Sequence, residues 1–152
     1  MGDSAGGNYA LSLMNVLSRL DIELPVKLIA IYPPVDLRQT RFTPSLLHSF
    51  NDKLLYFSVG RSCVDSYTPV GIDTEKDWIL SPALAPDSIL SRYPQTTFFT
   101  GELDSLRDDI VKLGYRIHKL GMASSTVVQV KGIYHGFMGF ELPGWVGIKE
   151  VG

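Results

Sequence analysis

A single cysteine, Cys63, stands in a chain of 152 residues. One thiol excludes an internal disulfide and any cysteine-built metal cluster, and such a residue is expected to serve as a small, buried apolar side chain. Long hydrophobic runs are missing too: nothing approaches the roughly 18 apolar residues that cross a bilayer. Residues 1–20 lack the basic stretch and apolar block of a signal peptide. Charge of one sign is scarce as well. With 14 basic and 16 acidic residues the net charge is −2, which offers no footprint for nucleic acid. Repeats, low-complexity tracts and linker-like shifts in composition are absent, so one domain is expected. At 45% hydrophobic and 20% charged, the composition is that of a globular chain with enough apolar residues to bury a core.

What is present alternates between two periods. Ala10, Leu13, Met14, Leu17 and Leu20 recur at helical spacing, which predicts an amphipathic helix from residue 5 to about 20. Val26 to Tyr32 (VKLIAIY) is a short apolar run closed by Pro33 and Pro34, the pattern of a parallel strand buried on both faces. Residues 36–94 are irregular, with a helix expected over about Asp52 to Tyr67 after a start signal at Thr43-Pro44. Thr96 to Thr100 predicts a second strand and Ser125 to Val130 a third. Between those two strands a helix is expected over Leu106 to Leu120, ended by Gly121. Strands alternating with helices imply parallel β-α-β units with right-handed crossovers.

Gly2-Asp3-Ser4-Ala5-Gly6 has the G-x-S-x-G form of a nucleophile elbow, a sharp turn into a helix that exposes a serine hydroxyl. Flanking glycines let neighbouring backbone pass close to the turn, and the Ala5 N–H is placed to donate to an oxyanion. A serine hydroxyl needs a base, and the base an orienting acid. Asp104 follows the strand Thr96 to Thr100, and His135 follows the strand Ser125 to Val130. Both fall at carboxyl ends of parallel strands, where open α/β sheets bind ligands. Plainer roles compete with each reading. Ser4 has the alternative of a helix cap and His135 that of a surface residue, while Asp104 is equally suited to cap a helix starting near Ser105. Glu102, Asp108 and Asp109 are rival acids, while His48 and His118 are expected at the surface.

Five blocks carry a resemblance: GDSAGGN at 2–8, YPPVD at 32–36, SPALAP at 81–86, GELDSLRDD at 101–109 and YHGF at 134–137. In order and spacing they resemble the hormone-sensitive lipase group of α/β-hydrolase serine esterases. SPALAP and the surroundings of Cys63 lean toward the hormone-sensitive lipases proper. The resemblance implies Ser4 as nucleophile, His135 as base and Asp104, among the neighbouring acids, as the third member of a catalytic triad. It implies a carboxylic ester or lipid small molecule as substrate, with an apolar acyl or alcohol part, through an acyl-enzyme intermediate. No metal or organic cofactor is implied, and association with a lipid surface is left open.

In that group a long segment with several strands and a His-Gly-Gly-Gly type loop precedes the elbow, and this sequence has no counterpart to it. The expectation is therefore a partial domain over 1–152, the carboxy-terminal half of an α/β-hydrolase fold with about three parallel strands and flanking helices. The strand leading into the elbow is expected to be reduced to Met1, leaving Val26 to Tyr32 as an open apolar edge. Of the oxyanion donors, only the Ala5 N–H, with Gly6 at most, is expected to remain. Three readings follow: half of an active lipase or esterase, a short inactive remnant or binding partner, or the same fold acting on a substrate other than a lipid ester. Trp78, Trp145 and the phenylalanines at 98, 99, 137 and 140 are expected in core packing rather than lining a pocket.

Overall fold

The computed structural model describes residues 1–120 and 125–139. Strand β1 is Gly2–Asp3, and helix α1 runs Ala5–Arg19. Strand β2 is Lys27–Ile31, followed by a 3₁₀ segment Pro44–Phe50 and helix α2, Phe57–Tyr67. A short helix α3, Asp87–Leu90, leads to strand β3, Gln95–Gly101. Helix α4 is Arg107–Lys119 and strand β4 is Ser125–Val130. Gly121, Phe140 and Trp145, to which the sequence assigned roles, lie outside the described residues.

The four strands form one parallel sheet in the order β1-β2-β3-β4. This parallel arrangement with flanking helices agrees with the expectation except in one strand. The run before Ser4 is more than Met1: Gly2 pairs with Ala30 and Asp3 with Ile31. The predicted open edge of β2 is thereby closed over its last two residues, and among the described residues Lys27 to Ile29 have no strand partner on that side. Two residues are too few to show a period of 2, so no sequence pattern could announce this strand.

Successive strands lie side by side, so crossovers of one hand deliver all the connections to the same face. There α1 places Leu11 and Met14, and α4 places Ile110, Leu113 and Ile117, against Leu28, Ala30 and Phe98 of the sheet. On the opposite face Ile31, Tyr32 and Phe137 form a smaller cluster, with Ile29 and Phe99 only partly buried. Strand β2 is thus buried on both faces only towards its carboxyl end, at Ala30 and Ile31, while Ile29 is half-buried and Lys27 exposed, a partial departure from the expectation of burial on both faces throughout. Phe98 and Phe137 are packed as expected, and Trp78 is partly buried against the main core.

Helix α2 starts five residues later than the predicted Asp52. The Asp52 carboxylate accepts hydrogen bonds from the Leu54 and Leu55 N–H groups at 2.8 and 3.0 Å, a local turn that competes with helix. No residue of α2 is buried, and Cys63 is exposed rather than a core residue. That helix faces a cavity instead of the sheet.

The irregular connection is held by a polar row on α1 that apolar periodicity does not reveal. Asn8, Ser12 and Asn15, at successive helical turns, donate from their side chains to the carbonyls of Leu80, Ile79 and Trp78. Asn15 also accepts from the Tyr93 hydroxyl at 2.7 Å, and burial pushes that phenol well above its ordinary pKa. Asn15→Ala would remove, from a fully buried position, the donor to the Trp78 carbonyl and the acceptor of the Tyr93 hydroxyl. It should lower stability by about 1–3 kcal/mol, read from the urea midpoint at unchanged slope.

Candidate active site

Ser4 sits between β1 and α1 with φ 47° and ψ −120°, a left-handed conformation that a side chain rarely adopts. Its N–H donates to the Ile31 carbonyl at 2.9 Å, tying the turn to the end of β2. The glycines around it differ in what they permit. A Cβ on Gly2 would strike the Gly6 carbonyl, and one on Gly7 would lie 2.9 Å from the Pro33 side chain. A Cβ on Gly6 would meet nothing nearer than Asp3 Oδ1 at 4.0 Å. Among the described residues, close approach therefore requires Gly2 and Gly7, whereas the five-residue pattern singled out Gly2 and Gly6.

The three residues that the sequence proposed meet at the carboxyl ends of the strands. Ser4 Oγ lies 2.9 Å from His135 Nε2, across 131 positions of chain. His135 Nδ1 lies 3.0 Å from Asp104 Oδ2, with His135 and Asp104 both buried. With Nδ1 carrying its proton toward the carboxylate, Nε2 is left to accept from the serine hydroxyl. Ala5 opens α1, so its N–H belongs to the first-turn amides that a helix leaves without an internal partner.

Asp104 makes a contact in each of the two directions that the sequence set in competition. While Oδ2 faces His135, Oδ1 accepts the Leu106 N–H at 2.9 Å just ahead of α4. The rival acids are engaged elsewhere. Glu102 accepts the Gly132 N–H, Asp108 accepts the Ser45 N–H and pairs with Arg107, and Asp109 lies 3.2 Å from Arg41. His118 is exposed, and His48 lies half-buried in the 3₁₀ segment.

Ser4 and His135 open into a cavity of about 540 Å³. Phe42, just ahead of the 3₁₀ segment, Leu47 and Phe50 within it, and Phe57, Val64 and the exposed Cys63 of α2 line it, together with Leu106. The sequence carried no periodic signal for this roof. One residue that went unmarked is Tyr32, whose ring centroid is 4.8 Å from that of His135. It lay inside the YPPVD block, and its only local signal was a bulky residue ahead of two prolines.

The sequence profile of a family described as alpha/beta hydrolase fold matches residues 1–139. An esterase of Gibberella moniliformis is 27% identical over 136 residues, covering 90% of this chain and 42% of its own length. The hormone-sensitive lipase of Bos taurus is 38% identical over 74 residues, which are 49% of this chain and 9% of that protein. Among solved structures, carboxyl esterase 2 of the mycorrhizal fungus Tuber melanosporum matches with a TM-score of 0.80 at 29% identity. That match covers 90% of this chain and 44% of the esterase. The chain spans less than half the length of these relatives.

Two predictions follow from the local geometry. Gly2→Ala should lower the thermal midpoint, whereas Gly6→Ala should leave it unchanged or raised, because alanine favours helix over glycine by about 1 kcal/mol. The second concerns Asp108. Burial alone would raise its carboxyl, but hydrogen bonds from Ser45 and the Arg107 guanidinium outweigh burial and hold it below the ordinary 3.8. Folding then favours its charged form, so this contribution is present above the ordinary value and lost as pH falls through the lowered one. Asp108→Asn should flatten the decline of the thermal midpoint from about pH 5 downward.

Proposed function

The chain belongs to the α/β-hydrolase fold family, and from that premise we propose that it hydrolyses carboxylic esters by acyl transfer through Ser4, His135 and Asp104. The observation that carries this reading is the unbroken relay from Ser4 Oγ to His135 Nε2 at 2.9 Å and from His135 Nδ1 to Asp104 Oδ2 at 3.0 Å. As Ser4 Oγ attacks the ester carbonyl, its proton passes to His135 Nε2. Collapse of the tetrahedral intermediate expels the alcohol, which takes that proton, and leaves an ester on Ser4. Water, deprotonated by the same nitrogen, attacks this acyl-enzyme and releases the carboxylic acid. Asp104 keeps the imidazole in the tautomer that both halves need. The Ala5 N–H, at the positive end of α1, faces the oxygen on which charge develops.

The substrate reading rests on the cavity. Its volume of about 540 Å³ and its lining by phenylalanine, leucine and valine suit an ester with an apolar acyl or alcohol part. The esterase names of the relatives support the same class of bond.

The test is hydrolysis of p-nitrophenyl esters by the parent chain and its variants, with amides and peptides run alongside. Ser4→Ala or His135→Ala should lower kcat on the order of 10⁶-fold. Asp104→Asn should lower it about 10⁴-fold while the chain stays folded, because the new side chain still offers an oxygen to Leu106. A Ser4→Ala chain that kept the parental rate would overturn the assignment. Faster cleavage of amides than of esters would overturn the substrate class.

A further inference from the structure

Among the described residues, three non-glycine residues have positive φ: Ser4, Asp21 and Tyr32. Ser4 is the elbow, and Asp21 follows the end of α1, where a left-handed residue commonly closes a helix. Tyr32, at φ 39°, has neither excuse. A bulky side chain in that region is an outlier that surrounding structure must enforce. The next residue is a proline, which narrows the preceding backbone further.

What enforces it can be traced contact by contact. The Tyr32 N–H donates to the Phe99 carbonyl at 2.7 Å, which carries the β2–β3 ladder one residue beyond the end of β2 and anchors the Tyr32 backbone. The ring, 1% exposed, is wedged edge-to-face against Phe137 at 4.9 Å and against His135 at 4.8 Å. Burial, reinforced by the carboxylates of Asp3 and Asp104, keeps the hydroxyl protonated, with the Met138 backbone opposing. The residue before it, Ile31, accepts the Ser4 N–H. Two consecutive residues thus grip the two partners of the proton transfer: Ile31 holds the serine by its backbone, and Tyr32 holds the imidazole by its ring.

We infer that Tyr32 is a positioning residue, whose strained backbone and buried ring fix the His135 imidazole at hydrogen-bonding distance from Ser4. This rests on the proposed role of His135 as base. His135 lines the cavity and Tyr32 does not, so Tyr32 acts through the imidazole rather than on a bound ester. Its effect is on the Ser4–His135 separation, and a displacement of about 1 Å at such a step can cost 10²-fold in rate.

The test compares Tyr32→Phe, which keeps the ring, with Tyr32→Met, which keeps bulk but removes it, in the 152-residue chain. Tyr32→Met should lower kcat about 10²-fold with KM little changed, and Tyr32→Phe should stay near the parent. The second readout needs no turnover. With three histidines in the chain, the His135 imidazole signals can be assigned by NMR, using His135→Ala as the reference. They should shift and broaden in Tyr32→Met but not in Tyr32→Phe. They should also stay in place in Asn15→Ala, which costs stability away from His135. A parent chain that failed to hydrolyse esters would sink the proposed function, while the imidazole signals would still judge Tyr32. Unchanged His135 signals in Tyr32→Met, or equal damage from both substitutions, would overturn the inference. Should Tyr32→Met not fold, the parent spectrum decides. A nuclear Overhauser contact between the Tyr32 and His135 rings is expected, and its absence would overturn the inference.

Discussion

The hydrogen bond from the Ser4 N–H to the Ile31 carbonyl fixes where everything else in the site must be. It extends the pairing of Gly2 with Ala30 and Asp3 with Ile31 by one more residue, so the elbow is in register with the sheet. From there the parallel ladder carries the register outward. Ile31 pairs with Phe99, and Gly101 pairs with Val130, so the loops bearing Asp104 and His135 leave their strands at nearly the same level as Ser4. Residues up to 131 positions apart come within hydrogen-bonding distance because three strands end together.

The long connection between β2 and β3 is the least regular part of the chain, yet it is fastened at both flanks. The Asn8, Ser12 and Asn15 row grips residues 78–80 from α1. At the other flank, Ser45 and Asp108 exchange hydrogen bonds, Ser45 N–H to the carboxylate and Asp108 N–H to the Ser45 hydroxyl. Arg41 adds an ion pair with Asp109. Aromatic side chains between these fasteners are left to line the cavity rather than fill the core. Of them, Phe50 and Phe57 stack on each other at 5.7 Å.

Where apolar runs or helical periods were long, the sequence was readable. The bounds of β4 agree at both ends, and β3 differs by one residue at each. The strand before Ser4 was hidden because two residues have no period. Asp52 delayed α2 through a side-chain turn that composition alone cannot distinguish from a helix start. Cys63 was misjudged because a general preference of cysteine for the interior says nothing about a helix that faces a cavity. Spacing left Asp104 level with Glu102, Asp108 and Asp109. The fold separates them, since a loop aims one carboxylate inward while the others meet the Gly132 amide, Ser45 and Arg41. Tyr32 escaped notice because a strained backbone angle leaves no trace in a string of residue types.

Asp104 supports a helix start with one oxygen and an imidazole with the other. Residues that serve only chemistry are free to drift once the chemistry is no longer needed, whereas this position would still favour an aspartate or asparagine, whose side-chain oxygen accepts the Leu106 N–H. A descendant that had stopped turning over substrate would be expected to discard its histidine before it lost an aspartate or asparagine here. In surveying such proteins for living enzymes, the presence of an aspartate at this position is therefore the weaker witness, and the histidine the one to question first.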